Sequence, residues 1–467
     1  VGEKTLSINR KTFVSSTAIL LSLMIFSGIL TLLLPMGQFE RKFVDGNEVL
    51  DLNSYVPLHS ERLPIYRWFT APLEVFLGPD GLRISMLILL LLIVGGTFYV
   101  LERAEVLKLV VHKIAGTFRQ RRYSLIAILS LCFMVFGSVL GLFEEIVPLV
   151  PIVVELSLRL GWDEFVGLGL SILSAGFGFA SATLNPFTVV LAQKLASVPL
   201  FSGLAFRLLV FAVIYIVLCV FLIAYAKRID RNSARVEISD EQKLFDDRTK
   251  RSALFFVICV VGIFLLVIAS LFIQNLQQFS VPLIALIYLI TGLGCGLFAE
   301  MGWSETLKVF FKGVATISPS VLLILFAASV KHIITEGMVI DTILKYSVEG
   351  LKDVGAVQCA MLIYIVVLIL NFFIPSASAK AFLLIPILVP FSRFTGLSRQ
   401  TMILAWSFGD GFSNMIFPTN PVLLISLSLV SMSYARWFRK TIFLQLIVFA
   451  ITVVFVVLAV LTKYGPF

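Results

Sequence analysis

Charge is what this sequence lacks. Only 14% of its 467 residues are Asp, Glu, Lys or Arg, against 59% apolar, where a soluble domain carries roughly 25% charged residues. A compact soluble core could not hide this much apolar surface, whereas a bilayer can. Histidine is nearly absent, and the five cysteines (Cys132, Cys219, Cys259, Cys295, Cys359) are scattered without metal or redox spacing. They read as small apolar residues, and no zinc site is expected. No stretch fits G-x-x-x-x-G-K-[ST], so ATP-driven pumping has no support, and no nucleophile with its base suggests an enzyme. The net charge is +9, yet no basic domain stands outside the apolar runs. Basic loops beside a membrane explain it better than nucleic acid.

What the sequence has is long apolar runs. Thr17–Leu34, Ile84–Leu101, Ala205–Ala226, Leu254–Ile273, Val281–Phe298 and Ile442–Leu461 each reach the ~18–20 residues that cross a hydrocarbon core. The first follows a basic flank (Lys4, Arg10, Lys11). It is longer than a signal-peptide core and no A-x-A-like site follows, so it reads as a span.

The runs are punctuated twice in the same way. A shift of 235 residues places Pro151 on Pro386, Gly161 on Gly396, Gly176-Phe177 on Gly411-Phe412, Asn185-Pro186 on Asn420-Pro421 and Glu145 on Lys380. A shift of 234 places Glu102 on Glu336 and Gly116 on Gly350, and one of 232 places Phe206-Arg207 on Phe438-Arg439. Gly, Pro and Asn are the residues that interrupt apolar runs, so this set indicates an internal duplication. It divides the chain into a first membrane repeat (1–226), a cytoplasmic linker (227–251) and a second repeat (252–467).

Loop charges orient the copies. Arg103–Arg122 holds six Lys or Arg against one acid, Lys227–Arg251 holds eight, and Tyr434–Lys440 holds three with no acid. By the positive-inside rule these lie in the cytoplasm with the N-terminus. Loop Met36–Tyr66 and the uncharged Gln274–Ser280 then fall outside, and Glu300–Gly313 falls inside. Span Val321–Ile334 crosses opposite to its counterpart Ile84–Leu101, so the repeats are inverted. The expected fold is an all-α polytopic membrane protein of two inverted-topology repeats.

Each repeat carries two segments that are not plain spans. Tyr123–Gly141, Leu142–Glu145 and Ile146–Leu158 read as a re-entrant hairpin with Glu144 and Glu145 at its tip. Its counterpart is Ala356–Leu370, a tip at Asn371–Lys380, and Ala381–Phe391. A broken span follows each hairpin. Phe165–Phe179 leads into Ala180–Pro186, with Ser181, Thr183 and Asn185. Met402–Phe408 leads into Gly409–Asn414, with Asp410, Ser413 and Asn414, and then Pro418–Pro421, with Thr419 and Asn420. Proline removes a backbone donor, and freed polar groups at membrane depth are tolerated only where they are buried in protein or line a cavity. Inverted repeats with broken helices place a substrate site near the midplane. Half-helix N-termini suit a carboxylate there, and unwound carbonyls with side-chain oxygens suit Na⁺. Ser181, Asn185 and Asn414 are the expected Na⁺ neighbours.

Ionisable residues at bilayer depth are functional by default. Glu144, Glu145 and Asp410 against Lys380 give −3 + 1, a formal −2, to be met by Na⁺, protons or a cationic substrate. Lys380 reads either as a fixed cation replacing an ion, as a carboxylate ligand, or as a structural partner of Asp410. Arg207 and Arg439 read as snorkelling side chains, and Trp406 and Phe412 as packing residues.

The runs Gly141-Leu-Phe-Glu-Glu, Thr183-Leu-Asn-Pro-Phe187, Leu200-Phe-Ser-Gly-Leu204, Ile374-Pro-Ser376 and Phe408-Gly-Asp-Gly-Phe-Ser-Asn414 resemble the YfcC-like group of the C4-dicarboxylate anaerobic carrier family, within the ion transporter superfamily. The resemblance implies a bacterial inner-membrane secondary transporter with two hairpins, elevator motion and a homodimer. Relatives carry C4-dicarboxylates, short-chain acids or basic amino acids. The tip Ser376-Ala-Ser378-Ala-Lys380 departs from the Gly-rich, Gln-containing form of many relatives. The expected function is a carrier or exchanger of a small carboxylate-bearing metabolite, coupled to Na⁺ or H⁺; the acid-rich interior leans it to an amino acid, and among those to a basic one, with a C4-dicarboxylate or short-chain carboxylate carrier as the alternative. Hairpins opening from opposite sides argue against a channel.

Overall fold

The structure is a computed structural model and describes residues 10–44, 47–50, 54–59, 61–78, 80–118, 121–232, 245–272, 279–349, 354–430 and 432–465. Every long apolar run of the sequence lies on a helix: Arg10–Leu33, Gly81–Arg103, Leu204–Asn232, Asp247–Phe272, Ser280–Phe298 and Tyr434–Leu461. Among the described residues eight helices are long and apolar enough to cross a membrane. A ninth crossing arises if Trp303–Ile317 and Ser320–Glu336, bent by 42° at their junction, act as one. Their outer faces are apolar. On Asp247–Phe272, Leu254, Ile258, Val261 and Leu265 are all exposed and recur at helical spacing, a stripe that water would penalise and lipid does not. The chain is a multi-pass membrane protein.

Several boundaries differ from expectation. The fold is not purely helical. The 36–66 loop holds two antiparallel ladders, Gly37–Gln38 with Val56–Pro57 and Arg41–Val44 with Asn47–Leu50. Glu300–Gly313, expected to lie inside, is largely the helix Trp303–Ile317. A Cβ on its Gly313 would lie 2.6 Å from the Gly95 carbonyl and 2.9 Å from Gly96 Cα, so small residues let this helix and Gly81–Arg103 meet backbone to backbone. Helices Leu204–Asn232 and Asp247–Phe272 extend into the expected linker from both sides, and 233–244 lies outside the described residues, as does most of Gln274–Ser280. Arg207 does not snorkel: it is 2% exposed.

Helices group by contact into two bodies. One contains Arg10–Leu33, Gly81–Arg103, Asp247–Phe272, Ser280–Phe298, Trp303–Ile317 and Ser320–Glu336. The other contains both helical hairpins, both interrupted helices, Leu204–Asn232 and Tyr434–Leu461.

The first hairpin closes at its base. Arg122 donates to the Leu160 carbonyl (3.5 Å) and the Tyr123 and Trp162 rings lie 6.4 Å apart, so the segment ends where it began. Its first arm, Arg122–Leu140, stops at Gly141, whose φ of +70° suits glycine. The chain returns through Glu144–Leu149 and Val150–Arg159. In the second hairpin the arms are Ala356–Phe373 and Ala377–Thr395. The tip is therefore only Ile374–Ser376, and Asn371 and Lys380 sit on helix rather than in it. Gly161 and Gly396, paired by the 235-residue shift, both adopt positive φ (86° and 70°) just after their hairpins.

The first interrupted helix runs through Glu164–Leu168, Gly169–Leu173 and Ser174–Ala180, breaks at 181–185, and resumes over Pro186–Val190 and Leu191–Leu195. The second runs over Arg399–Gly411 and Phe412–Met415 and resumes at Pro421–Leu429. Gly409, Asp410 and Gly411 therefore lie within helix, not in the break. Their glycines serve close approach: a Cβ on Gly409 would lie 2.6 Å from the Tyr364 carbonyl, and one on Gly411 2.4 Å from Ala180 Cα. Asn185 and Asn420 cap the resumed helices alike. Asn185 accepts from Phe187 N (2.9 Å), and Asn420 from Val422 N (2.9 Å) and Leu423 N (3.3 Å).

Candidate functional site

A cavity of about 690 Å³ lies between the two bodies. The first body lines it with the start of Gly81–Arg103 (Arg83, Met86, Leu87), the start of Ser280–Phe298, and Ile324, Ala327, Ala328 and Lys331. The second body lines it with both hairpin tips and both resumed helices: Glu144, Glu145, Phe187, Ser376, Ser378, Asn414, Thr419, Asn420 and Val422 among them. Two helix N-termini, at Ala377 and Pro421, therefore border the space and lend it partial positive charge.

The charges on the wall are Asp80, Glu144 and Glu145 against Arg83 and Lys331, a formal −3 + 2 = −1. They are not equivalent. Arg83 pairs with Glu144, and Lys331 pairs with Asp80. Glu145 has no ion-pair partner among the described residues. Its Oε2 accepts from Phe143 N (3.3 Å) and its Oε1 from Ser280 Oγ (3.4 Å), both long bonds. Adjacent in sequence, Glu144 and Glu145 diverge onto different partners.

Of the residues singled out by sequence, Glu144, Glu145, Ser376, Ser378, Asn414, Thr419 and Asn420 line the cavity; Ser181, Thr183, Asn185, Lys380, Asp410 and Ser413 do not. The second set is buried scaffolding. Ser138, on the first arm, donates to the Ser181 carbonyl (3.1 Å) and lies 3.0 Å from Thr183 Oγ1. Asn185 Nδ2 reaches the Gly137 carbonyl (3.3 Å). Hairpin and break are thus tied together.

The second half repeats the device around a charge. Lys380 and Asp410 are both fully buried, with Nζ 2.8 Å from Asp410 Oδ1. Nζ also donates to Asn371 Oδ1 and to the Ile374 carbonyl (2.5 Å). Asn371 Nδ2 donates to Ser413 Oγ (2.7 Å) and Asn414 Oδ1 (3.0 Å); Asn420 Nδ2 donates to the same Asn414 oxygen (3.0 Å). Lys380 thus pairs with Asp410 and does not reach the cavity wall.

The three side chains expected around Na⁺ are already engaged. Ser181 Oγ donates to the Phe177 carbonyl (2.7 Å), Asn185 Oδ1 caps Phe187, and Asn414 Oδ1 accepts two amide donors. Among the described residues no group of three His, Cys, Asp or Glu could hold a metal ion. Trp406 and Phe412 are buried and do not line the cavity.

Sequence reading missed Asp80, Arg83, Ser280 and Lys331. Lys331 carried a signal, an ionisable residue inside the run Val321–Ile334. Asp80 and Arg83 stood at a span end, where charge is ordinary.

Comparison with known proteins places the chain. YfcC of Escherichia coli (strain K12), named provisionally as a basic amino acid antiporter, is 26% identical over 400 residues, covering 81% of this chain and 78% of that protein. An uncharacterized protein of Haemophilus influenzae (strain ATCC 51907 / DSM 11121 / KW20 / Rd) is 23% identical over 364 residues, covering 74% of this chain and 70% of its own. Among solved structures, the YdaH transporter of Alcanivorax borkumensis matches 97% of this chain and 100% of its own at 17% identity, with a TM-score of 0.43. MtrF of Neisseria gonorrhoeae, placed by its description in a class of antimetabolite efflux pumps, matches 96% and 95% at 13% identity, with a TM-score of 0.44. The model of the C4-dicarboxylate anaerobic carrier family matches residues 13–461, nearly the whole chain, and this protein is a membrane transporter belonging to that family.

Proposed function

We propose that the chain is a secondary active carrier or exchanger of a basic amino acid, working by alternating access at the cavity between the two helix bodies. The observation that carries this reading is the charge left over on the cavity wall. Two of the three acids hold cations of the protein, and Glu145 holds none. An unpaired carboxylate at membrane depth calls for a cation, and an amino acid with a cationic side chain brings one. Its α-carboxylate would sit toward the helix starts at Ala377 and Pro421, where backbone donors favour an anion. When substrate leaves, Glu145 takes a proton or another substrate cation, which supports exchange or H⁺ coupling; Na⁺ is the other candidate coupling ion.

The division into two bodies supports an elevator cycle, in which hairpins and interrupted helices move against the other body. The meeting ends of the first hairpin support its re-entrant placement, and the paired Gly, Pro and Asn positions support two inverted repeats, at 1–226 and 252–467. The basic segments support a cytoplasmic N-terminus in a bacterial inner membrane, and the family resemblance supports a homodimer. A second reading, a C4-dicarboxylate carrier, has in its favour the family's name and the presence of Arg83 and Lys331 on the wall. It requires both cations to leave Glu144 and Asp80.

A binding screen separates the two. Purified protein should be stabilised against heat by arginine or ornithine and not by succinate or malate, in Na⁺ and in choline medium alike. Stabilisation by dicarboxylates alone would reverse the assignment.

A further inference from the structure

Lys380 is a buried charge of the second body that does not line the cavity. Its ammonium sits among three oxygens of different kinds: the Asn371 amide oxygen, the Ile374 carbonyl at the hairpin tip, and Asp410 Oδ1 at 2.8 Å. An ammonium directs three N–H bonds. Two are spent on Asn371 and Ile374, yet neither Asp410 oxygen has a well-aligned hydrogen-bond donor among the described residues, although the carboxylate is fully buried. Asp410 Oδ1 meets the ammonium at 2.8 Å, poorly aligned for its third N–H. A carbonyl, an amide oxygen and a carboxylate around one positive centre are also the donor set that a monovalent cation takes. The wall of this pocket is also braced without the lysine. Asn371 is held by Ser413 and Asn414, and Asn414 Nδ2 donates to the Asp410 carbonyl (3.1 Å).

We propose that the Lys380 ammonium is a tethered cation filling an alkali-ion site, so that the second half of the protein is permanently loaded and needs no bound ion there. The equivalent residue of the first half is Glu145, which opens onto the cavity and lacks a cation. One half thus carries its own positive charge and the other takes it from the ligand. Asn414 belongs both to this network and to the cavity wall. An ion entering the cavity needs to pass only that side chain once the lysine is gone.

Counting sodium on the purified, substrate-free full chain tests this, and the count is independent of which substrate the cavity takes. Lys380→Ala should bind one more sodium ion per chain than the wild type. It should also gain a thermal stabilisation in sodium that choline does not reproduce. The extra ion should be lost in Lys380→Ala/Asp410→Asn. Lys380→Ser, which adds a hydroxyl oxygen where the stem was, should behave as Lys380→Ala does. Equal sodium content in wild type and both single variants overturns the proposal, as does an extra ion that survives Asp410→Asn. If both single variants fail to fold even when prepared in high sodium, the pocket is not a cation site and the proposal is equally overturned.

Discussion

The buried pair Lys380–Asp410 offers the sharpest energetic prediction. Asp410→Asn keeps volume and one acceptor oxygen but removes the charge that faces an ammonium with no solvent exposure. Removing one member of a buried pair leaves the other uncompensated and costs about 3–5 kcal/mol. Lys380→Met leaves Asp410 in the same condition and also deprives Asn371 Oδ1 and the Ile374 carbonyl of their donor, each at about 1–3 kcal/mol. In a Lys380→Met background Asp410→Asn then removes an orphaned charge instead of creating one. It should cost nothing there, or stabilise. The coupling between the two sites should therefore be about as large as the Asp410→Asn effect itself. Reversible unfolding in mixed micelles, in sodium-free choline medium, measures all four proteins. If Asp410→Asn costs the same in both backgrounds, the two side chains do not compensate one another and this account of the second half fails. Transport should fall sharply in Asp410→Asn although the residue does not touch the cavity, because Asn371, Ser413 and Asn414 carry its position to the cavity wall.

Other outcomes follow from single contacts. Glu145→Gln replaces a charge-assisted contact with a neutral one, a difference of about 1 kcal/mol or more, so arginine should bind about tenfold more weakly with folding unchanged; unaltered affinity removes Glu145 from the site. Gly178→Ala would place a methyl 2.0 Å from the Met134 carbonyl, between the first hairpin and the first interrupted helix, and should cost about 1–3 kcal/mol or more. Gly262→Ala, with nothing within 4 Å, should be neutral or stabilising by the same unfolding assay. Glu74, outside the long apolar helices, is held at about 2 instead of 4.5, chiefly by the hydrogen bond from Arg67, then by those from Thr70 and His332, against the opposing effect of burial. A depressed carboxyl stabilises above its unfolded value and loses that contribution as pH falls. Melting temperatures of wild type and Glu74→Gln should therefore differ at neutral pH and converge between pH 4.5 and about 2; a constant gap across that range excludes the linkage.

The spans were legible because hydropathy over twenty residues reports membrane crossing directly. The turns after Leu140 and Phe373 were legible from the polar residues that interrupt the apolar runs, and the breaks at Asn185-Pro186 and Asn420-Pro421 from proline with a capping amide. Gly409–Gly411 was misleading for a physical reason. Glycine loosens a helix and also lets two helices touch, and only the neighbours Tyr364 and Ala180 show that the second role applies. The site was half legible. Glu144, Glu145 and the polar residues near Ser376 and Asn420 stood out as polar groups in apolar runs. Which of them face the cavity depends on helix rotation, which composition does not carry. Asp80 and Arg83 were hidden by their place at a helix start, and their importance lies in pairing with Lys331 and Glu144, residues remote in sequence.

The central claim is that the charge left over at Glu145 makes this a carrier of cationic amino acids. Counterflow in proteoliposomes tests it most directly. Vesicles loaded with unlabelled arginine should accumulate labelled arginine or ornithine in a saturable manner, and Glu145→Gln should raise the half-saturating concentration about tenfold. Saturable uptake of succinate that excess arginine leaves untouched would contradict it.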